Sequence, residues 1–294
     1  MWRAQVPTIA ITGASGHLGR LVAELLLDKG EQPVLLTRDP AALGEFAQRG
    51  ADVRHGDFSD PTGLRSALTG VDRLLLISTD IIGPGRIELQ TQAVEAARAA
   101  GVGHVLYTSL PSPDPDNPAA VAVDHRATET AVLDSGLTWT FLRNNIYAEY
   151  QIPTAAQAVA GGQLVTNSGA GATAYVSRED CAAAAAAVLT SEGHENTVYD
   201  ITGPEAIDAA ALAALAAEIS GRPVEVVHVD DEGYVQGLVA AGLPVEVAQM
   251  IASFGASARG GWAERVSTAV RDLTGRDPRS LRDVLAENRA ALAG

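Results

Sequence analysis

The sequence predicts an α/β fold: a doubly wound parallel sheet with helices on both faces, followed by a smaller, mostly helical region. Three observations carry this. Short runs that are apolar throughout recur between segments of helical periodicity, the pattern of parallel strands buried on both faces. The first run breaks into the glycine-rich stretch Thr12 to Gly19 just before the first helical segment. Beyond Asn145 the alternation loosens, and most of the remaining chain reads as helix. With 294 residues the chain can form one large domain or a main domain with a smaller partner. The expected division is 1–150 with later sheet segments within 171–203, against a smaller region of 151–170 and 204–294.

Val6 to Thr12 is the first strand, and Leu18 to Leu27 repeats apolar residues at helical spacing until Lys29 and Gly30 stop it. Pro33 to Thr37 is a second apolar run, Leu43 to Arg49 a short helix closed by Gly50, and Asp52 to His55 a strand ending at Gly56 and Asp57. A helix over Thr62 to Leu68 precedes a strand at Arg73 to Ser78, a helix over Arg86 to Ala100 and a strand at His104 to Ser109. A helix is expected from Pro118 to Ser135, then a strand at Thr138 to Arg143. The looser part holds a helix at Ile152 to Val159, a strand at Gln163 to Thr166, a helix at Asp180 to Leu189 and a strand at Val198 to Thr202. The alanine run Ala182 to Ala187 reads as a tightly packed helix.

Composition excludes several classes of function. Hydrophobic residues make up 47% and charged residues 19%, a globular balance. The formal net charge is −15, from 21 basic and 36 acidic residues, so phosphate backbones and anionic lipid surfaces are repelled. No apolar run approaches the roughly 18 to 20 residues that span a bilayer, and the N-terminus lacks a signal-peptide layout. Cys181, the one cysteine, leaves no internal disulfide and no thiolate metal cluster. The expectation is a cytoplasmic protein, monomeric or homodimeric, that binds no nucleic acid, membrane or metal.

Gly13, Ser15, Gly16, His17, Leu18 and Gly19 lie in a GxxGxxG loop between the first strand and the first helix. Glycines there allow a tight turn and close backbone approach to a pyrophosphate, which sits on free N–H groups at the helix N-terminus. This is the dinucleotide signature of a Rossmann domain. An NAD-specific site carries a carboxylate at the end of the second strand; here Arg38 precedes Asp39 and suits the 2′-phosphate of NADPH. NADH remains the second candidate, through Asp39 on the ribose or Arg38 stacked on adenine. Asp57 and Phe58, after the third strand, are placed to meet the adenine edge and face, with a turn-capping Asp57 as the other reading. Ser78 and Thr79, at the carboxyl end of the fourth strand, are expected along the nicotinamide ribose.

The segments TGASGHLG, LLTRDP, GDFSD, LLLIST, YTSL and LRNNIYAE, with the later VYDITG and the tail LRDVLAENRAAL, resemble the NmrA-like group of atypical short-chain dehydrogenases. Within it, the pattern is that of the NAD(P)H-dependent quinone oxidoreductase branch, over nearly the whole chain. The resemblance implies NADPH binding and two-electron reduction of a quinone or polycyclic, anthraquinone-like aromatic ketone, as in the polyketide tailoring of some relatives. It places Asn144 on the nicotinamide side and Asn145 and Tyr147 on the substrate wall.

The chain departs from the short-chain dehydrogenase pattern where that pattern needs a Tyr and, four residues on, a Lys. By that alignment His125 and Glu129 occupy the two positions. His125 titrates near neutrality and is a candidate acid and substrate contact; the other reading is a structural His125–Glu129 pair one helical turn apart. Thr108 and Ser109, ending the fifth strand, are candidates for hydrogen bonds to a reacting oxygen. Ile146, Ile152, Pro153, Tyr175, Phe254 and Trp262 are either core or a wall for a flat substrate. A quinone suits a site without the Tyr and Lys, because its reduced form is stabilised by aromaticity. The competing function is a redox sensor that holds the dinucleotide and acts through a protein partner; an isomerase needs the missing Tyr.

Overall fold

The computed structural model describes residues 7–79, 81 and 85–292; Val6, the start of the first expected strand, lies outside them. In chain order the elements are β1 (Ile9–Ile11), α1 (His17–Asp28), β2 (Val34–Thr37), α2 (Gly44–Gln48), β3 (Asp52–His55), α3 (Pro61–Ala67), β4 (Arg73–Leu76), α4 (Gly85–Ala100), β5 (His104–Ser109), α5 (Ala122–Asp134) and β6 (Thr138–Asn144). They continue with α6 (Gln151–Gly161), β7 (Gln163–Thr166), α7 (Arg178–Thr190), β8 (Thr197–Ile201), α8 (Ala209–Ser220) and β9 (Glu225–His228). The tail holds α9 (Asp231–Ala240), α10 (Val245–Arg259), α11 (Ala269–Thr274), α12 (Leu281–Glu287) and α13 (Arg289–Leu292).

Seven strands form one sheet in the order β3-β2-β1-β4-β5-β6-β8, and the pairs from β3 through β6 run parallel. β1, β2, β4 and β5 are buried along their whole length, as their unbroken apolar runs require. The strand order reverses at β1, which pairs with β2 on one side and β4 on the other; ligands of open α/β sheets bind at the carboxyl ends beside such a switch. Arg73 starts β4 although its strand is buried. Its guanidinium donates to the carbonyls of Leu189 and Ser191, each at 2.7 Å, and pairs with Glu192.

The chain divides into two compact units. Met1–Ser109, Asp124–Arg143 and Cys181–Tyr199 form the first, and Leu110–Val123, Asn144–Asp180 and Asp200–Gly294 the second. In the first, an apolar cluster joins Leu36, Leu64, Leu74, Val105, Tyr107 and Phe141. The second has its own, with Ala155, Leu164, Leu212, Leu215, Leu281 and Leu285.

Two elements depart from the sequence expectation. The helix expected from Pro118 starts at Ala122, because Asn117 Oδ1 accepts the Ala119 N–H at 3.0 Å and the Ala122 N–H returns to the Ala119 carbonyl at 2.8 Å. That turn satisfies the backbone without helix. The tail expected to be mostly helical contains β9, whose Glu-Val-Val-His run pairs in parallel with β7, Gln163 opposite Glu225 through Thr166 opposite His228. Among the described residues no helix is long and apolar enough to cross a membrane.

Candidate functional site

The glycine loop is set by hydrogen bonds and by a lack of room. Thr12 closes β1, its N–H donating to the Leu75 carbonyl at 3.0 Å and its hydroxyl accepting the Ile77 N–H at 2.9 Å. Gly13 then turns the chain at φ +59°, a region that side chains disfavour. The Ala14 N–H reaches the Leu36 carbonyl at 3.1 Å, and the Gly16 N–H returns to the Gly13 carbonyl at 3.0 Å. Gly19 is dictated by packing: a Cβ there would fall on the Gly13 carbonyl and lie 2.7 Å from Ala14 Cα. Gly16 caps α1, and among the described residues no side chain satisfies that end and no acidic residue sits in its first turn. The amides of His17, Leu18 and Gly19 therefore form an anion cradle with the positive end of the helix behind it. Such a cradle fits the pyrophosphate of a dinucleotide.

Arg20, which the sequence reading passed over, holds this loop in place. Its Nε donates to the Ser15 carbonyl at 3.1 Å, and its terminal nitrogens reach the Ala42 carbonyl and Glu45, both at 2.6 Å. Ser15 Oγ accepts from Thr37 Oγ1 at 3.0 Å, tying the loop to the end of β2. Beyond it Arg38 is exposed, whereas Asp39 Oδ1 accepts the Ala41 N–H at 3.1 Å and caps a short 3-10 turn. Asp57 accepts the Ser59 N–H at 2.9 Å and the Ser59 hydroxyl at 2.8 Å. Those bonds, with a smaller contribution from Arg38, hold its carboxyl below the usual range. Phe58 packs against the sheet core and is half-buried.

Threonine hydroxyls grip both sides of the chain as it leaves β4. Thr12 takes the Ile77 N–H, and Thr108 Oγ1 accepts the Ser78 N–H at 2.9 Å. For this reason β4 ends at Leu76 and not at Ser78, while Thr79 Oγ1 accepts the Ile81 N–H at 3.4 Å. Ser78 and Thr79 stay half-buried at the carboxyl edge.

Tyr107 and Ser109 both reach α5. Arg86 donates to His125 Nε2 at 3.2 Å, so the imidazole proton sits on Nδ1 and is donated to Tyr107 Oη at 2.9 Å. Gln90 donates to the same oxygen at 3.3 Å, and Asp124 lies 3.7 Å from Arg86 Nε. Burial above all, and then Arg86, push the His125 pKa down to about 3. In this arrangement the His125 ring is buried, neutral and engaged at both nitrogens. Glu129, one turn on, is bonded elsewhere. Glu129 Oε1 accepts from Ser109 Oγ at 2.7 Å, and Arg143 forks onto the carboxylate at 3.0 and 2.7 Å.

In the second unit Asn144 is buried, and its Oδ1 has no partner among the described residues. Asn145 is held by its amide, which donates to the Ala263 carbonyl at 2.9 Å and accepts the Ile146 N–H at 2.8 Å, and it lines a cleft of this unit. Tyr147 is half-buried, with the Arg178 guanidinium 5.0 Å from its ring centre and 4.9 Å from that of Tyr150. A cleft of about 220 Å³, solvent included, is walled by Leu110, Pro111, Ile146, Phe254, Trp262 and Ala263. Asn117 also lines it, yet spends its amide on Ser112, Ala119 and Ser257, so the wall is mainly apolar and aromatic. Ile152 and Tyr175 belong to the core of this unit, and Pro153 is exposed.

Residues 13–192 match the NAD(P)H-binding family. The chain is 39% identical to quinone oxidoreductase 2 of Escherichia coli over 83% of its own length and 85% of the relative's. The chain belongs to the NAD(P)H-binding family. This NAD(P)H-dependent oxidoreductase is also 33% identical to an NmrA-like family domain-containing oxidoreductase of Aspergillus flavus over 95% of each chain. The crystal structure of the Escherichia coli NADPH-dependent quinone oxidoreductase with NADPH matches it with a TM-score of 0.91, at 36% identity over 98% of this chain and 100% of that one. Triphenylmethane reductase of Citrobacter sp. with NADP(H) gives 0.90, at 34% identity over 95% and 99%.

Two measurements check this geometry in the NAD(P)H-binding chain. Gly19→Ala is expected to weaken NADPH binding at least about tenfold in a fluorescence titration, while Gly44→Ala, where a Cβ meets nothing within 4 Å, leaves it unchanged. The second concerns stability against pH. Below about 6.5 the unfolded chain protonates His125, whereas the folded ring resists until about 3. The stability His125 confers is therefore complete above 6.5 and falls with pH through that window, on the order of 2 kcal/mol by pH 5. His125→Gln should flatten melting temperature against pH between 7 and 4; an unchanged slope would contradict the buried neutral ring.

Proposed function

We propose that this oxidoreductase uses NADPH to reduce quinones or related flat aromatic ketones. The carrying observation is that the positions of the short-chain dehydrogenase Tyr and Lys hold His125 and Glu129, both buried and both paired. A simple ketone needs an acid at its oxygen as hydride arrives. A quinone does not, because aromatic delocalisation stabilises its reduced oxyanion and a proton follows from water. The names of the relatives, quinone oxidoreductase and triphenylmethane reductase, support a reducible aromatic acceptor.

The bound dinucleotide supplies two electrons and one hydrogen as hydride; the protein's part is binding, orientation and exclusion of water. The amides of His17, Leu18 and Gly19, in the loop that Gly13, Ser15 and Gly16 shape, hold the pyrophosphate. Arg38 pairs with the 2′-phosphate, which favours NADPH; Asp39 caps its turn through Oδ1, and its contact with the ribose of NADH is the competing arrangement. Asp57 and Phe58 flank the adenine. Ser78, Thr79 and Thr108 shape the nicotinamide side, and in the second unit the unpartnered Asn144 Oδ1 suits a hydroxyl or N–H donor. The cleft bounded by Phe254 and Trp262 is the proposed acceptor site, with Asn145 in its lining, and Tyr147 is a further proposed substrate contact of that unit. The apolar and aromatic wall of the cleft suits the flat ring system of a quinone or of a polycyclic, anthraquinone-like ketone. The buried lone cysteine suits a reducing cytoplasm.

The test is loss of 340 nm absorbance with NADPH and NADH against a benzoquinone, a naphthoquinone and a hydroxyanthraquinone. Turnover is expected with NADPH preferred by about tenfold to hundredfold, and Arg38→Ala should erase most of that preference. The kcat should show no titration of His125 between pH 6 and 8, where its buried ring stays neutral. The missing acid also favours a second reading, the dinucleotide sensor: tight NADPH binding with no acceptor reduced would establish it in place of the reductase.

A further inference from the structure

We propose that Glu129 is a positioning residue that locks Ser109 as a pure hydrogen-bond acceptor, so that the carboxyl end of β5 recognises a donor group on its ligand. Ser109 Oγ gives its proton to Glu129 Oε1 at 2.7 Å. Glu129 is held to that task by Arg143, whose Nε meets Oε1 at 3.0 Å and whose terminal nitrogen meets Oε2 at 2.7 Å. A fork of this kind fixes the plane of the carboxylate as well as its position. Ser109 and Glu129 are each more than nine-tenths buried, which denies the hydroxyl a competing water. A carboxylate only accepts, so the serine proton has one destination. Among the described residues nothing donates to the Ser109 oxygen in return.

A serine free to rotate would donate to a carbonyl. This one cannot serve a quinone oxygen; it suits N–H and O–H. Ser109 ends β5 at the edge where ligands of open α/β sheets bind. Two ligand groups there share the required chemistry: the carboxamide N–H of the nicotinamide, and a hydroxyl on the acceptor ring. Polarising the serine toward Glu129 strengthens its acceptance of either. The inference rests on the dinucleotide site proposed above.

Calorimetric binding of NADP+ and of its 3-acetylpyridine analogue, in which a methyl group replaces the carboxamide nitrogen, is measured on the wild type, Ser109→Ala, Glu129→Gln and the double variant. A second arm compares kcat/KM for 5-hydroxy-1,4-naphthoquinone and 1,4-naphthoquinone. The wild type is expected to favour the donor-bearing member of one pair by about three- to tenfold. Ser109→Ala should erase that preference, and Glu129→Gln should reduce it with no further loss in the double variant. Loss in the first arm assigns the carboxamide, and loss in the second the acceptor hydroxyl. A preference absent from the wild type in both arms, or kept by a folded Ser109→Ala, overturns the proposal. Ser109→Ala leaves the Glu129–Arg143 pair intact, so the test stands even where Glu129→Gln does not fold. The binding arm needs no turnover and survives failure of the reductase reading, whereas a wild type that binds no NADP+ overturns the dinucleotide site itself.

Discussion

The site depends first on the backbone contact between α1 and its own loop at Gly19. The helix must begin close enough to Gly13 and Ala14 that a single Cβ cannot fit, and this brings its first amides to the carboxyl edge of β1. Two glycines in one short turn cost conformational entropy, about 0.5–1 kcal/mol apiece relative to alanine. The fold offsets this with fixed partners: Ala14 on β2, Thr12 on the chain leaving β4, and Arg20 on the Ser15 and Ala42 carbonyls. Thr108 repeats from β5 what Thr12 does from β1. The exit of β4 is thus braced from both neighbouring strands.

The second constraint is the polar ladder between β5 and α5. Residues two apart on a strand are separated by about 6.6 Å, and residues four apart on a helix by about 6 Å along its axis. Tyr107 and Ser109 therefore meet His125 and Glu129 in register, one rung each. Buried pairs of this kind add little net stability, but each is costly to break because it strands a desolvated partner. A slip of either element breaks both rungs at once. The ladder is accordingly a device of register, and register decides what the end of β5 presents.

Much of this was legible in the sequence. The strands buried on both faces announced themselves as unbroken apolar runs, and the glycine loop was readable because its position after a strand and before a helix gives it meaning. The short β9 was not, since four residues with two valines carry no periodicity until β7 is seen beside them. The state of His125 was hidden for a different reason. Its residue type suggested an acid, but its protonation is set by burial and by Arg86, distant in sequence. The bonds of Asn145 were hidden in the same way: a polar residue after a strand end gives no sign that Ala263 and Ile146 hold its amide. Arg20 and Arg143 left faint signals, an arginine one turn into a glycine-loop helix and one at the end of a buried strand. Neither can be assigned until the carboxylate or carbonyl it meets is known.

Exchanging an acid for a brace changes the burden on the site. A Tyr and Lys pair must keep a phenol near its titration point beside a cation, so that face must stay polar and accessible. Here burial raises the Tyr107 phenol away from any such point, and the sole lysine, Lys29, donates to Thr190 Oγ1 at 3.3 Å at the far end of α1. With no proton to manage, the face can be sealed, and sealing it frees Arg143 and Glu129 to fix a single hydroxyl. Rate then depends on how well the nicotinamide ring and its acceptor are held against each other, a matter of orientation and desolvation. On the function proposed above, such a site selects acceptors that stabilise their own reduced charge.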